Sequence, residues 1–409
     1  MIQKYWIIFL LTFVNGLSFT ILFPLLPFLI KEYSQPEVVL WILLATYSFF
    51  QFIAAPILWS LSDKYGRKPL LLLTQFGTFL SWVVLWAAYF LPSQEILWFV
   101  VLPIIVIFFS RVLDWITGWN VSIANSVLAD LSEKKDRSKI FGANAAVMGL
   151  ALATWPSIGS LTLGFPGSYS VTALVGGIIS LITLWVIYFF LKETLSKEQR
   201  NSELKISFKK LNIYSQLQKW AQFRNIRYVL VMKVFLFLTF VSYTSISALY
   251  LVDTFWFNET TVGYYLTFTG FFLIFHQALS IRLLVNRVWD NKSLIVGSLL
   301  MGLGFIWLAL SWENIYVFTV VYFFTVLWIS LFLTTSNGLI SKSVEPQNQG
   351  EVMGMSSSID SFISVLAPIW VSLLYSFVPF SIYYLISLPA FLAFLLYLLF
   401  YRDVRFSET

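Results

Sequence analysis

The chain has 409 residues, of which 59% are hydrophobic and only 11% charged. A soluble domain has no interior large enough for that much apolar surface, so the composition reads as a polytopic membrane protein. With no cysteine and a single histidine, His276, disulfides, thiolate metal sites and a histidine-rich metal centre are excluded, and no metal or cofactor is expected. No Walker-type phosphate loop is present, which leaves ATP out as an energy source within this chain, and no nucleophile–base constellation suggests an enzyme.

The first apolar run begins near Tyr5, is too long for the core of a secretion signal and is followed by no small-residue cleavage site. It is therefore expected to stay as helix 1. Apolar runs predict helices over about 5–30, 38–61, 69–90, 97–125, 139–163 and 168–191. After a polar stretch from Lys192 to Arg227, further helices are predicted over about 228–252, 260–285, 293–311, 314–340, 349–376 and 380–401. The expected fold is all-α, with 12 transmembrane helices in two six-helix bundles related by a pseudo-twofold axis. The bundles are residues 1–191 and 228–401, joined by a cytoplasmic linker, 192–227, and followed by a tail, 402–409. Within the linker, Asn212–Phe223 reads either as a short amphipathic helix on the inner leaflet or as a solvated tether.

The net charge of +6 has an address. Of 26 Lys and Arg, only Lys31 falls in an outer loop and Arg111 and Lys233 fall inside helices, while the rest lie at inner ends and inner loops. This asymmetry puts both termini in the cytoplasm and the protein in the plasma (inner) membrane. The basic balance thus reports topology, and no nucleic-acid partner is implied. The two halves also echo each other. The segment Asn286–Lys292 matches the charged turn between helices 2 and 3 in place and charge, and helix 11 (Gln349 to Pro368) matches helix 5 (Phe141 to Pro156).

Two stretches concentrate the polar chemistry. Leu61–Pro69 packs Asp63, Lys64, Arg67 and Lys68 into a short turn between two apolar spans. Gly66 is free to take positive φ and Pro69 is suited to the start of a helix. Farther on, Arg111 lies deep in predicted helix 4, roughly 20 Å from its start at 1.5 Å per residue. A bare charge there costs at least ~2.5–3.5 kcal/mol, so it requires a partner facing the bundle interior. Asp114, three residues on, shares its helix face.

The run Asp63-x-x-Gly66-Arg67-Lys68 resembles the signature loop of the major facilitator superfamily, and Tyr47–Pro56 is similar to its tetracycline-efflux and multidrug-antiporter branch. Arg111, Asp114, Gly118, Asn120 and Asp130 resemble that family's intramembrane arginine motif. The resemblance implies a secondary transporter working by alternating access, most simply a proton-coupled exporter of a small amphipathic compound. A metabolite uniporter or symporter, or a non-transporting receptor or lipid transporter on the same scaffold, stands as the alternative. It implies a monomer in the lipid bilayer whose partners are a small-molecule substrate and protons. It also implies a cytoplasmic gate built from Asp63, Gly66, Arg67, Lys68 and Asp130. There Arg67 pairs with Asp130, and Asp63 sits near the inner N-terminus of helix 11.

The family's antiporter motif in helix 5 ends Gly-Pro-x-x-Gly, but this chain reads Trp155-Pro156-x-x-Gly159. Tryptophan also stands at Trp59, Trp115 and Trp119 and, by looser alignment, at Trp41, Trp256, Trp289, Trp328 and Trp370, where the family has glycine. Glycine at such places lets helix backbones approach or turn, and an indole there overpacks them. One common cause would account for all nine: UGA codons meaning glycine, translated as tryptophan. The other reading is genuine divergence, with Trp6, Trp98 and Trp312 in interfacial belts.

Tetracycline-efflux members carry an aspartate in helix 1 nine residues before a proline. Here Asn15 stands nine before Pro24 and cannot carry a proton. Candidates for proton coupling are therefore Asp114 with Arg111, and Asp360, with Asp114 favoured because its pairing can be made and broken. The other reading of Arg111–Asp114 is a permanent pair that only orders helix 4. Asn15, Gln51, Asn120, Asn125, His276, Gln277 and Asn337 are candidates to line a substrate cavity. Lys233, near the start of helix 7, is expected to snorkel to the inner interface.

Overall fold

The computed structural model describes residues 2–21, 25–36, 38–40, 42–43, 50, 57–58, 61–97, 100–117, 120–133, 140, 143–144, 147–148, 150–151, 154–155, 158–159, 161–162, 168–196, 198, 200, 224–280, 290–342 and 349–400. Most of helix 2, about half of helix 5 and the linker segment 201–223 lie outside these residues, and with them Gln51, Gly118, Pro156, Trp41, Trp59, Trp119, Trp289, the Tyr47–Pro56 run apart from Phe50, and the Asn212–Phe223 segment.

The described elements are helical save for one short antiparallel pairing, β1 (Glu95–Leu97) with β2 (Val100–Val101). In chain order the helices are α1 (Ile2–Thr20), α2 (Leu26–Glu32), α3 (Arg67–Ala88), α4 (Leu102–Thr117), α5 (Asn120–Leu131) and α6 (Ser168–Phe190). They continue with α7 (Arg224–Phe255), α8 (Glu259–Phe275), α9 (Asp290–Leu310), α10 (Ile315–Lys342), α11 (Gln349–Phe377) and α12 (Ile382–Phe400). Among the described residues, six helices are long and apolar enough to cross a membrane. The outward faces agree with a hydrocarbon surround: Trp185, Phe189, Leu392, Leu395 and Leu399 are all exposed.

Several expected boundaries move for identifiable reasons. Predicted helix 1 ends as α1 at Thr20 and resumes as α2, whose first turn holds Pro27. Prolines at 24 and 27 remove two N–H donors and break the ladder. Helix 4 starts at Leu102, after the β pairing, so Arg111 lies about 14 Å along α4 rather than the expected 20 Å. Predicted helix 8 is α8 followed by a π turn over His276–Ser280. Asp290, Asn291 and Lys292, read from the sequence as loop, form the first turn of α9.

By packing, the chain divides into two compact units, one of residues 1–207 with 257–268 and the other of 208–256 with 269–409. Within the first, α3 packs on α6 and α4, and α1 on α5 and α6. The second repeats the scheme: α9 packs on α12 and α10, and α7 on α10 and α12. These neighbours recur among the described helices of each half, and α7 packs on α11 as well. These elements fit the twelve-helix, two-bundle fold. In the first unit Tyr5, Ile8, Leu11, Leu70, Leu71, Val127, Leu128 and Ile187 interlock into one apolar cluster, so α1, α3, α5 and α6 share a core.

Three described residues carry positive φ, Ser34, Gly66 and Trp256, and the last two do so for opposite reasons. Gly66 (φ +107°) precedes α3, and a Cβ there would collide with the Glu193 carboxylate. Trp256 (φ +58°) follows the last residue of α7 and is 89% exposed. Glycine is the usual residue in this left-handed position after a helix C-terminus. Strain of this kind costs about 1–3 kcal/mol per residue. Gly66→Ala should therefore lower, and Trp256→Gly raise, the thermal unfolding temperature of the detergent-solubilised protein. Equal temperatures for wild type and both variants would refute this reading of the backbone.

Candidate functional site

The charged turn organises one cluster within the first unit. Arg67 begins α3 with its side chain buried between two acids: Nη1 lies 2.6 Å from Asp63 Oδ1 and Nε donates to Asp130 Oδ2 at 3.4 Å. Nη1 also donates to Ser62 Oγ at 2.6 Å, and Thr194 Oγ1 donates to Asp130 Oδ2 at 3.0 Å. The expected Arg67–Asp130 pair is thus formed, and Asp63, Arg67 and Asp130 are brought together. Lys68 reaches along the surface, donating from Nζ to the Tyr188 carbonyl at 2.7 Å.

Glu193 is the residue that sequence reasoning missed here. The first N–H groups of a helix have no partner in their own helix and carry partial positive charge. At α3 these donors are met from far along the chain, since Arg67 N–H and Lys68 N–H donate to the Glu193 carboxylate at 2.9 and 3.3 Å. The same carboxylate accepts from the N–H of Thr194 and Leu195 at 2.9 and 3.0 Å, and Arg200 lies 3.7 Å away. The segment leaving α6 is thereby tied to the start of α3. No local pattern announces a cap supplied from 126 residues away.

Deeper in the same unit, Arg111 Nη1 lies 3.3 Å from Asp114 Oδ2, both side chains being almost wholly buried. The guanidinium also stacks over Trp82, 4.9 Å from the ring centroid, a desolvated cation–π contact worth about 2 kcal/mol. Asn125 accepts from Asn144 Nδ2 at 3.3 Å. Asn15 is half-buried, and its Nδ2 has no hydrogen-bond partner among the described residues. In helix 5, a Cβ on Gly159 would collide with the Ile21 carbonyl, so this glycine allows the close approach that the motif implies. Trp155 is buried and donates from Nε1 to the Phe13 carbonyl at 2.7 Å. The side chains of Asn120, Gln277 and Asn337 lie outside the described residues.

In the second unit the structure corrects one expectation. Lys233 does not snorkel: its side chain is buried, and Nζ donates to Asp360 Oδ2 at 2.7 Å and to Ser356 Oγ at 2.5 Å. Lying about 14 Å into α7, the ammonium finds a carboxylate nearer than water. Two further links continue along the α7–α11 seam, with Trp370 Nε1 donating to Ser242 Oγ at 2.7 Å and Tyr375 O–H to Asp253 Oδ2 at 2.9 Å. The Asp360 side chain is 29% exposed, whereas that of Asp114 is 1% exposed.

His276 is buried at the π turn. Its Nε2 lies 2.9 Å from the Phe323 carbonyl, which can only accept, so Nε2 carries the hydrogen. Nδ1 lies 2.9 Å from Ser280 Oγ, whose hydroxyl can donate to a neutral ring or accept from a charged one. Single π turns inside helices gather at functional sites.

The sequence profile of the Major Facilitator Superfamily matches residues 8–291 and 283–409. The chain is 24% identical over 371 residues to tetracycline resistance protein, class C, of Escherichia coli, covering 89% of this chain and 87% of that protein. It is 26% identical over 393 residues to the class H protein of Pasteurella multocida, covering 91% and 88%. In three dimensions it is similar to a D-xylose-proton symporter (TM-score 0.78, 14% identity, 98% of this chain and 97% of that one). It is also similar to the human organic anion transporter MFSD10 (TM-score 0.71, 19% identity, 96% and 99%), likenesses that speak for the fold. With the repeated two-unit packing and the Arg67 and Arg111 clusters in place, and with the family profile covering nearly its whole length, this chain belongs to the Major Facilitator Superfamily.

Proposed function

We propose that the protein exports a small amphipathic compound in exchange for protons, by alternating access, from a plasma membrane with both termini in the cytoplasm. The observation that carries the coupling is the Lys233–Asp360 pair, a carboxylate inside a membrane span with a 2.7 Å cationic partner and a side chain 29% exposed. A proton on Asp360 would cancel its charge and release Lys233, changing the local field at a depth where charge is expensive. Asp114, favoured on sequence alone, is shut in beside Arg111 and Trp82, an environment that suits a permanent pair ordering helix 4. The full-length likeness to tetracycline resistance proteins supports export as the direction.

The Asp63–Arg67–Asp130 cluster serves in this reading as a cytoplasmic latch. The two roles separate in experiment. In proteoliposomes holding the purified protein, an imposed pH gradient should drive accumulation of an amphipathic dye, and Asp360→Asn should abolish the gradient dependence while Asp114→Asn keeps it. Gradient-driven flux that survives Asp360→Asn would assign coupling elsewhere. No flux of any compound would favour a receptor. Asp63→Asn should slow turnover severalfold with substrate affinity unchanged, and undiminished turnover would count against the latch.

We further infer that several of the 17 tryptophans are glycine in the cellular protein, through UGA read as glycine. Trp256 supports this, standing exposed in a left-handed conformation that glycine adopts without strain. The gene's codons and peptide masses from the source organism decide it: UGA at Trp256 with a glycine-mass peptide is expected, and UGG at Trp59, Trp115, Trp119, Trp155 and Trp256 ends the idea.

A further inference from the structure

Among the described residues, the charged side chains well inside membrane spans are Arg111, Asp114, Lys233 and Asp360. They form two pairs, one per unit, each of zero net charge. Asp253, the next acid along α7, lies near that helix's end and is held by Tyr375. His276 has a neutral arrangement open to it, with Nε2–H on a carbonyl. The spans thus hold charge without displaying an excess of either sign, and Asp360 is the member of the four with the most open side chain.

We infer that Lys233 sets the charge class of the substrate: by neutralising Asp360 it makes the C-terminal unit select amphipaths with no net charge and turn away permanent cations. This rests on the transporter reading above and deepens it. A cation approaching wild-type protein meets a carboxylate already held at 2.7 Å by an ammonium, so it gains no ion pair and loses its hydration. Remove the ammonium alone and the site carries one uncompensated negative charge; remove the carboxylate charge alone and it carries one positive charge. A unit charge met at about 4 Å in a partly desolvated site changes affinity by more than about tenfold.

The experiment is a double-mutant cycle on the full chain in nanodiscs. Three fluorescent probes share one dansyl-alkyl body and end in a quaternary ammonium, a methyl ether or a sulfonate. Equilibrium titration should rank the uncharged probe first for wild type, by about tenfold over the cation. Lys233→Met should bring the ammonium probe to the top, Asp360→Asn the sulfonate probe, and Lys233→Met/Asp360→Asn should restore the wild-type order. Lys233→Arg and Asp360→Glu, which keep both charges, should keep that order too. A reordering in either single variant that reverts in the double variant supports the inference. It is overturned if wild type binds the cation as tightly as the uncharged probe, if wild type binds none of the three, if neither single variant changes the order, or if the charge-preserving variants lose it. The export reading fails separately, by absence of gradient-driven flux in wild type, a measurement that takes no account of probe ranking.

Discussion

In hydrocarbon, every polar group must find its partner inside the protein. That constraint shapes this chain at every scale. At the smallest, hydroxyls are absorbed by their own helices: Thr117, Thr183, Thr239, Thr319, Thr325 and Thr335 each donate to the carbonyl four residues earlier. At the next, Arg111 finds Asp114 one turn along and Trp82 across the helix interface, and Lys233 finds Asp360 and Ser356 on a neighbouring helix. Helix ends follow the same rule, since the first donors of α3 are satisfied by the carboxylate of Glu193. Each buried pair sums to zero charge, and the selection proposed for the C-terminal unit rests on that balance at Lys233–Asp360.

What was legible in the sequence divides along the same line. Spans are visible because apolar length is a local property, and α7, α9, α10, α11 and α12 fall within a few residues of expectation. Arg111–Asp114 was legible because partners three residues apart on a helix must share a face. Arg67–Asp130 was legible only through the family resemblance. Lys233–Asp360 was not, since 127 residues separate the two and nothing near Lys233 marks α11 as its neighbour. For the same reason, its place near a helix start suggested snorkelling when the nearer solution was a carboxylate. The breaks were partly legible: the prolines that divide α1 from α2 are in plain view, but a π turn at His276 leaves no compositional trace.

The repeat explains why the two halves carry comparable machinery in different places. The packing of α3 on α6 and α4 recurs as α9 on α12 and α10. Yet the buried pair of the first unit lies within one helix, while that of the second bridges two. An intrahelical pair survives any movement of its helix as a body. A pair between α7 and α11 is made or lost with the packing of those two helices. This difference is why the proposed coupling falls on Asp360: a proton that broke its bond to Lys233 would also loosen a seam otherwise held by Ser242–Trp370 and Asp253–Tyr375.

The charged turn has a different energetic character, and the contrast bears on how such a molecule moves. The outer members of its network, Asp130 and Glu193, are part-exposed, and ion pairs with solvent at hand contribute only about 0–1 kcal/mol each. Such contacts are cheap to break one at a time, which suits a latch that opens on every cycle. The almost wholly buried Arg111–Asp114 pair would cost several kcal/mol to break by deletion, since a charge would be left stranded. Protonation avoids that cost at Asp360 by removing the charge itself, leaving one ammonium to be resettled. In the proposed export cycle, the weak pairs at the water's edge would part readily, and the deeper Lys233–Asp360 pair would part only when a proton arrived.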